Sequence, residues 1–308
     1  MCMSSRYIVG DWGSTRLRLY LIEQEQVVAQ CEGPGISFLK SPAAESLAAA
    51  VRPWLDQSPS LELILGGMAS SRGGLRELAY VRAPAGSGDW LRGARRLSVG
   101  PLSVLLATGV QCGNPSDGYE VMRGEEAQIF GAIELNPHLA SNLQRLVLPG
   151  THTKWVDVTD SVITQFRTAI TGELYALLRE HSSLLNANLE QQEKNSQEFD
   201  HGFSAGNLHA TAKNGGLLTS LFQTRTEQLL QDRTHSWASG FLSGLLISHE
   251  LATMRGSVAD VRPVTIIGAP AIALLYQRVF KAAGIPAGVL DGAECARRGL
   301  RLLREQHQ

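Results

Sequence analysis

Hydrophobic and polar residues alternate near the start of the chain in the pattern of consecutive β-strands. Residues 7–12 are mostly apolar, and in the next segment Leu17, Leu19 and Leu21 alternate with polar neighbours. Such alternation predicts a strand with one buried face. Residues 26–31 continue the pattern, so we expect three antiparallel strands joined by tight turns.

The pattern then changes to the helical period. Apolar residues at Leu47, Val51 and Leu55 lie one turn apart and predict a helix over residues 43–55. Residues 61–65 form a short apolar strand that runs into a loop rich in Gly and Ser. A loop at the carboxyl end of such a strand is where α/β proteins bind ligands.

The second half of the chain repeats this outline. Residues 146–148 and 155–158 predict strands on either side of a polar turn, and residues 161–168 predict a third strand. Two halves that both open with a strand, a Gly-hydroxyl turn and a strand suggest two similar domains. We therefore expect an N-terminal lobe over 1–138 and a C-terminal lobe over 139–308.

Later segments of the second half add further elements. Apolar and small residues predict a helix over 240–252, and a strand at 264–268 precedes a helix over 271–283. Residues 186–200 are polar and rich in Gln and Glu, which predicts a helical insert that faces solvent.

Composition and charge exclude several classes of protein. Of 308 residues, 44% are hydrophobic and the formal net charge is −1, so we expect no general attraction to nucleic acid. The four cysteines lack CxxC spacing, which is typical of reduced thiols. The first residues lead into a strand rather than an apolar signal segment, and the most apolar helix is too short to span a bilayer. We therefore expect a cytoplasmic protein without membrane contacts. Walker A and zinc-ligand spacings are absent from the sequence.

The turn after the first strand carries residues suited to a nucleotide and its metal ion. Asp11 supplies a carboxylate of the kind that Mg²⁺ prefers, and Gly13 lets the backbone approach phosphate. Ser14 and Thr15 offer amide and hydroxyl donors to phosphate oxygens. The alternative is a polar hairpin turn without a ligand, and this segment alone does not separate the two.

Six ordered segments of the chain resemble the 2-dehydro-3-deoxygalactonokinase family, which lies within the superfamily of actin-like ATPases and sugar kinases. They are Asp11–Thr15, Gly67–Gly73, Val121–Glu126, Leu148–Trp155, Phe166–Leu174 and Leu242–Leu251. The likeness extends over about residues 7–303, although Gly73-Gly74-Leu75 stands where the family has Gln-Gly-Trp.

This resemblance implies both a fold and an activity. The fold would be the α/β, two-domain actin-like ATPase (ribonuclease H-like) fold with an interdomain cleft. The activity would be ATP-dependent phosphorylation of 2-dehydro-3-deoxy-D-galactonate at the 6-hydroxyl in galactonate catabolism, with Mg²⁺ as the metal ion. The partners would be the sugar acid and ATP, with no nucleic acid and no membrane.

The resemblance also assigns nucleotide-binding roles. Asp11 is expected to hold the magnesium ion. Phosphate binding would fall to Gly13, Ser14, Thr15 and Arg16 in the first turn and to Gly150, Thr151, His152 and Lys154 in the second, with Gly268 and Ala269 beside the adenosine. Arg16 is almost as well explained as a solvated strand residue, whereas a functional role is favoured for Lys154.

The sugar hydroxyl needs a base that takes its proton. Glu125 and Glu126 open a predicted helix, and adjacent helical residues point about 100° apart, so we expect only one of them to face the cleft. The alternative is an acidic first turn that complements the helix dipole. Asp11 is the competing candidate for the base.

The carboxylate of the sugar acid suits an arginine, which binds it through paired hydrogen bonds. Arg72, beside Ser71, is the first candidate, followed by Arg167 and His152 and then Arg123. His152 is equally well explained as a turn residue bonded to backbone. Glu173 either accepts a substrate hydroxyl or caps a helix, with the cap slightly favoured.

Two rival functions stay open at this point. An exopolyphosphatase-like phosphohydrolase would use water in place of the sugar, and a non-catalytic sugar-acid sensor would need a DNA-binding segment that the sequence lacks. The sequence does not separate the galactonate-derived acid from its gluconate-derived epimer. The metal preference and the oligomeric state also stay open, with a homodimer as one candidate.

Overall fold

The structure is a computed structural model that describes residues 6–58, 61–114, 118–185, 195–212, 216–255 and 262–307. The chain forms two compact units. The first comprises Met1–Leu146, Val156–Arg167 and Leu290–Gln308, and the second comprises Val147–Trp155 and Thr168–Val289. These limits differ from those of the predicted lobes, 1–138 and 139–308, and the lobes stay a prediction.

The first half of the chain alternates strands with short helices. Its elements are β1 (Arg6–Trp12), β2 (Arg16–Glu23), β3 (Gln26–Pro34), α1 (Ala43–Leu55), β4 (Glu62–Gly67), β5 (Val81–Arg82), α2 (Ser87–Gly93), β6 (Arg95–Val99), β7 (Leu102–Leu106), β8 (Val110–Asn114), β9 (Gly118–Met122) and α3 (Glu125–Leu135).

The second half is richer in helix. Its elements are β10 (Leu143–Leu148), β11 (Thr153–Thr159), β12 (Val162–Ala169), α4 (Thr171–His181), α5 (Ser196–Ala212), α6 (Leu217–Leu221), α7 (Gln223–Leu230), α8 (His235–Arg255), β13 (Val264–Gly268), α9 (Pro270–Ala282), β14 (Ala287–Asp291) and α10 (Gly292–Gln306).

The two larger sheets share one strand order over five strands, and the first sheet has a sixth strand at its edge. The first runs β3-β2-β1-β4-β7-β6, and the second runs β12-β11-β10-β13-β14. In the first sheet β1 pairs antiparallel with β2 and parallel with β4, and β4 pairs parallel with β7. A small third sheet has the order β5-β8-β9. The repeated order matches the expectation that the two halves of the chain have similar topology.

The core of the first unit follows the predicted pattern. Leu17, Leu19 and Leu21 of β2 are buried, as the alternation predicts. Helix α1 has the predicted bounds and packs Leu47 and Val51 into the same core. Its third buried large residue is Trp54, and the neighbouring Leu55 is partly buried against the same core.

Close helix pairs fix the helical layers of both units. In the first unit, a Cβ atom on Gly131 of α3 would lie 1.8 Å from the Cys295 carbonyl oxygen of α10. One on Gly299 of α10 would lie 1.9 Å from the Ala127 carbonyl oxygen. In the second unit, α5 and α8 approach each other through glycines in the same way. Because only hydrogen fits at these contacts, the paired helices pack backbone against backbone.

Several predicted bounds differ from the structure. Helix α8 is longer than predicted at both ends, and Pro270 is the first residue of α9 rather than part of a separate turn. This position suits proline, whose missing N–H has no helical partner there. Of the predicted insert at 186–200, residues 186–194 lie outside the described part of the chain. None of the helices in that described part has the length and apolarity needed to cross a bilayer.

Candidate active site

The first turn, between β1 and β2, is braced by the segment that follows β3. The carbonyl oxygens of Gly13, Ser14 and Thr15 accept hydrogen bonds from the amides of Ile36, Ser37 and Gly35, at 3.0–3.1 Å. The amides of Ser14 and Thr15 donate to no residue within the described ranges. The turn therefore has its acceptors occupied and two donors open, which favours an anion.

Asp11 lies at the end of β1, directly before this turn. Its side chain is half-buried and has no hydrogen-bond partner among the described residues. Burial, and secondarily the charge of Glu125, raise the pKa of Asp11 to about 6, and Arg18 opposes them. The carboxylate is thus open to a ligand and ionises close to neutral pH.

Two glycines bring backbone close to Asp11. Gly67, at the end of β4, has φ +74°, and a Cβ atom there would lie 2.8 Å from Asp11 Oδ1. Gly124, before α3, has φ +120°, and its Cβ atom would lie 3.5 Å from the same oxygen and 3.2 Å from the Gly67 Cα atom. Both conformations favour glycine. The ends of β1 and β4 and the start of α3 therefore meet at this carboxylate.

Glu125 and Glu126 differ in their surroundings at the start of α3. Glu126 is fully buried, and its two oxygens lie 2.9 and 2.8 Å from the Gly124 amide that donates to them. Burial, followed by the charge of Glu125, raises the pKa of Glu126 to about 8. Glu125 is half-buried, and its Oε2 accepts from the Arg123 amide at 3.0 Å.

Two arginine candidates for the sugar carboxylate, Arg72 in the Gly-rich loop and Arg123 after β9, differ in their contacts. Arg123 donates to Ser70 Oγ at 2.7 Å and to the Leu78 carbonyl at 3.0 Å, and its guanidinium lies 4.2 Å from the centre of the Tyr80 ring. Arg72 is exposed and has no hydrogen-bond or ion-pair partner within the described residues. The guanidinium of Arg123 is committed to the loop, whereas that of Arg72 is open.

Three other predicted residues are engaged or solvated. The Ser71 hydroxyl donates to the Met68 carbonyl at 2.8 Å, within a short 3-10 helix. Arg16, at the start of β2, and Arg167, on β12, are exposed, and their side chains make no hydrogen bond or ion pair with the described residues.

The second turn, between β10 and β11, packs against the start of α4. Gly150, Thr151 and His152 are exposed there. The Glu173 amide donates to the Thr151 carbonyl at 2.9 Å, and His152 Nε2 lies 2.6 Å from Glu173 Oε2. A Cβ atom on Gly172 would lie 2.1 Å from the Gly150 carbonyl oxygen. Helix α4 thus supports the turn through backbone contacts that exclude a side chain.

The other residues predicted to bind nucleotide with the second turn, Lys154, Gly268 and Ala269, lie on or next to neighbouring strands. Lys154 is buried, and its Nζ donates to Thr168 Oγ1 of β12 at 3.0 Å. A Cβ atom on Gly268, at the end of β13, would lie 3.4 Å from Cδ of Pro149. Gly268, with the exposed Ala269 after it, is therefore next to the second turn. The structure thus forms two groups, one around Asp11 with Glu125 and one around Gly150 with His152, Glu173 and Gly268. Among the described residues, the side chains of Arg72 and Arg167 make no hydrogen bond or ion pair with either group.

Comparison with known proteins assigns the chain to a family. A sequence model described as 2-keto-3-deoxy-galactonokinase matches residues 11–303. The 2-dehydro-3-deoxygalactonokinase of Escherichia coli (strain K12) is 35% identical over 302 residues, covering 97% of each chain. The chain belongs to the 2-keto-3-deoxy-galactonokinase family. It is therefore a carbohydrate kinase, and ATP is its implied phosphoryl donor.

Solved structures support the fold of this kinase. A Sinorhizobium meliloti protein, whose own assignment as a 2-dehydro-3-deoxygalactonokinase is provisional, superposes with a TM-score of 0.81 at 26% identity, over 98% of this chain and 99% of the other. The (R)-2-hydroxyglutaryl-CoA dehydratase component A of Acidaminococcus fermentans superposes with a TM-score of 0.55 at 12% identity, over 99% and 100% of the chains, which indicates the fold alone. The predicted actin-like ATPase fold is confirmed, and the phosphohydrolase and sensor alternatives are not favoured.

Sequence reasoning did not identify several residues that shape these two groups in the kinase. The brace at Gly35–Ser37 was missed, although glycine after a strand is a recognisable turn signal. Gly67 and Gly124 lie within segments that resemble the family, and the sequence indicates no role for either. The buried carboxylate of Glu250 on α8 also lies within one of these segments, Leu242–Leu251. A charged residue in an otherwise apolar helix was the signal that could have singled it out.

Proposed function

We propose that this chain transfers the γ-phosphoryl group of ATP to the 6-hydroxyl of 2-dehydro-3-deoxy-D-galactonate, as a step in galactonate catabolism. The observation that carries the proposal is the open carboxylate of Asp11 beside a turn with two open amides. Phosphoryl transfer requires mainly that the reactants are positioned and that charge is neutralised. The open amides suit the first requirement, and a cation held by Asp11 would suit the second. A cytoplasmic location and a homodimer stay predictions.

Asp11 is the residue that we expect to hold the magnesium ion, directly or through water. The fit rests on its chemistry, because a half-buried carboxylate without a protein partner is a hard oxygen ligand. A bound magnesium ion would neutralise charge on the phosphate oxygens. The same carboxylate must be ionised to bind it, which its pKa of about 6 allows at neutral pH.

Glu125 is the residue that we expect to accept the proton of the sugar hydroxyl. It is half-buried, whereas Glu126 is fully buried and directs both oxygens to the Gly124 amide. We infer that Glu126 holds Gly124 in place and does not reach a substrate. If Asp11 were the base instead, Asp11→Asn would bind Mg·ADP normally, and Glu125→Gln would retain turnover.

Nucleotide binding is expected at both glycine turns. The open amides of Ser14 and Thr15 would bind phosphate oxygens, with Gly13 keeping the turn free of a side chain. Gly150, Thr151 and His152 would bind phosphate in the second turn, and Gly268 and Ala269 beside it would approach the ribose or the α-phosphate. Arg16 is free to add charge, whereas Lys154 contributes from a buried position.

The sugar acid is expected at the loop after β4. Arg72 has an open guanidinium for the carboxylate, and the neighbouring glycines leave room for it. Arg123 holds this loop through Ser70 and Leu78, so we assign it a positioning role. Arg167 and Glu173 stay further candidates, although Glu173 already contacts His152 at 2.6 Å.

An ADP-release assay across acceptors tests the proposal. The panel contains 2-dehydro-3-deoxy-galactonate, its gluconate-derived epimer, plain aldoses and no acceptor. We expect rapid ADP release with the galactonate-derived acid, and Asp11→Asn purified in parallel should show almost none. Equal ADP release with and without acceptor would contradict the proposal and favour hydrolysis. Rapid turnover of a plain aldose would contradict the assignment of a sugar acid.

Arg72→Ala tests the carboxylate site. We expect KM for the sugar acid to rise about 10- to 100-fold, the size expected for a lost hydrogen bond to a charged group, with KM for ATP unchanged. Arg76→Ala is the matched control, because Arg76 is an exposed arginine on the same loop without a partner among described residues. An equal rise in both constants for Arg72→Ala would remove Arg72 from the carboxylate site.

A further inference from the structure

A buried carboxylate lies behind the second turn, within the second unit. Glu250 of α8 is 6% exposed and accepts from Trp155 Nε1 at 2.6 Å and from the Tyr276 hydroxyl at 2.7 Å. The hydroxyls of Thr153 and Thr171 lie beside this carboxylate and lower its pKa. A carboxylate has about four lone-pair sites, and polar groups of these four residues surround this one.

The order of donors in this network follows from its chemistry. Because the Tyr276 hydroxyl donates to Glu250, Thr153 Oγ1, 2.9 Å away, must donate to the Tyr276 oxygen when it bonds there. Burial and the charge of Glu250 raise the pKa of Tyr276 well above its usual value, so it stays a donor. Burial raises the pKa of Glu250, and the polar groups of Thr171, Trp155, Tyr276 and Thr153 oppose that rise.

Stability alone does not explain such an arrangement. Replacing a buried ionic or polar network by well-packed apolar residues is often neutral or stabilising, because desolvation offsets much of the attraction. A network of this kind instead fixes the directions of the groups that it joins. The elements joined here are α8, α9, β11 and the first residue of α4.

Two of these elements support the second turn directly. Thr153 follows His152 in the chain and begins β11, so its hydroxyl fixes the point where the turn ends. Thr171 begins α4, whose Gly172 lies against the Gly150 carbonyl and whose Glu173 amide donates to the Thr151 carbonyl. Both supports of the turn therefore converge on one carboxylate.

We propose that Glu250 is a positioning residue for nucleotide binding, which holds β11 and α4 so that Gly150 and Thr151 present their donors to phosphate. The proposal rests on the proposed function, because it takes the second turn to bind the nucleotide. Glu250 itself is buried and touches no reactant.

Glu250→Gln is the first test. The amide keeps the shape but offers an NH₂ group to hydroxyls and an indole that need acceptors, so the network is mispaired. We expect KM for ATP and Kd for Mg·ADP, measured by calorimetry, to rise about tenfold, with KM for the sugar acid within twofold of wild type. Glu227→Gln is the control, because Glu227 on α7 of the same unit pairs with Arg233 and not with this network. It should leave all three constants unchanged.

A second pair of variants keeps the test valid if Glu250→Gln does not fold. Thr153→Ser retains the hydroxyl and should bind Mg·ADP as wild type does. Thr153→Val has nearly the same shape without the hydroxyl and should weaken binding about tenfold. Melting temperatures and circular dichroism identify which variants are folded.

The outcomes separate this inference from the proposed function. Folded Glu250→Gln and Thr153→Val that bind Mg·ADP as wild type does would overturn the inference and leave the kinase assignment standing. A lower kcat with unchanged KM for ATP would show loss of active protein only, which also overturns it. Wild-type protein that neither binds Mg·ADP nor phosphorylates any acceptor would overturn the proposed function, and this inference with it.

Discussion

At the scale of single residues, the protonation of Asp11 links the fold to catalysis. Its carboxyl group is held by no described residue, while burial and the charge of Glu125 favour the protonated form. The pKa of Asp11 is raised to about 6 in the folded protein. The free energy of unfolding is therefore highest when pH lies below the pKa of Asp11 in the unfolded chain, and this contribution is lost as pH rises through 6. In the unliganded protein, ionised Asp11 is therefore destabilising near neutral pH, and a bound cation would relieve that cost.

The pH dependence of Mg·ADP binding should report this group. We expect constant affinity between pH 7 and 8 and a fall as pH drops below about 6, since protons then compete with the cation for Asp11. In Glu125→Gln the midpoint should move to lower pH, because one of the two causes of the raised pKa is removed. Calorimetric titrations from pH 5 to 8 measure both midpoints.

Glu45→Gln on the exposed face of α1 is the control for this experiment, and its midpoint should equal that of wild type. A Glu125→Gln midpoint that does not move would contradict the assignment of the titration to Asp11.

Gly124 offers a second prediction at this scale. A Cβ atom there would press on the Gly67 Cα atom at 3.2 Å and approach Asp11 Oδ1, and φ is +120°. Gly124→Ala should therefore lower kcat/KM at least about 100-fold, because it displaces groups that we place at the site. Gly118→Ala is the matched control: its φ is +86°, and no atom lies within 4 Å of the added Cβ. It should cost about 1–2 kcal/mol of stability and little activity. Equal losses of activity would indicate backbone strain alone.

The residue types at the site could be predicted from the sequence, but their contacts could not. Asp11 and the hydroxyl turn were predicted because each lies within one short motif. The buried state of Glu126 and the pairing of Arg123 with Ser70 depend on segments far apart in the chain. A single sequence contains no signal for such contacts, so the choice between Glu125 and Glu126 stayed open.

At the scale of elements, the position of α3 depends on its packing against α10. The contact between them passes through Gly131 and Gly299, where the opposing atoms belong to backbone and cannot rotate away. Since α3 begins at Glu125, this contact sets where the acidic end of the helix lies within the first unit.

Gly131→Ala should separate these helices and destabilise the protein. The added Cβ would lie 1.8 Å from the Cys295 carbonyl oxygen, and overpacking of this kind costs about 1–3 kcal/mol. Chemical denaturation measures the loss. Gly88→Ala in α2 is the control, because its nearest atom is the flexible end of Arg92 at 3.4 Å. That change should be neutral or stabilising by up to about 1 kcal/mol, as alanine favours helix. Equal stability of both variants would contradict the close contact.

Periodicity predicts the elements that bury a single face against residues nearby in the sequence. Helix α1 and the β1–β2 hairpin have the expected bounds, because each buries a single face that repeats regularly. Strands β5 to β9 were not predicted, since they are short and lack a sustained alternation. The glycine contacts of α3 and α10 were also missed, because a glycine in a helix does not reveal which backbone lies opposite.

At the scale of the whole molecule, the two sheets repeat one strand order around two similar turns. The repeat was predicted from the turns alone, because the halves share little else in sequence. The family and the actin-like fold agree with it. The sequence does not show which part of the nucleotide each turn binds, since Gly, Ser and Thr donors suit phosphate equally in both turns.

Hydrogen exchange measured by mass spectrometry can show which of the two turns binds the nucleotide. If both turns bind nucleotide, Mg·ADP should slow exchange in peptides that cover residues 13–15, 150–152 and 268–269. The amides of Ser14 and Thr15 should respond most, because they lack partners among the described residues and should exchange fast when free. The sugar acid alone should instead protect residues 70–74. Asp11→Asn serves as the control and should lose the protection by Mg·ADP. Protection of only one turn by Mg·ADP would contradict nucleotide binding at the other turn, because a bound phosphate shields the amides that it contacts.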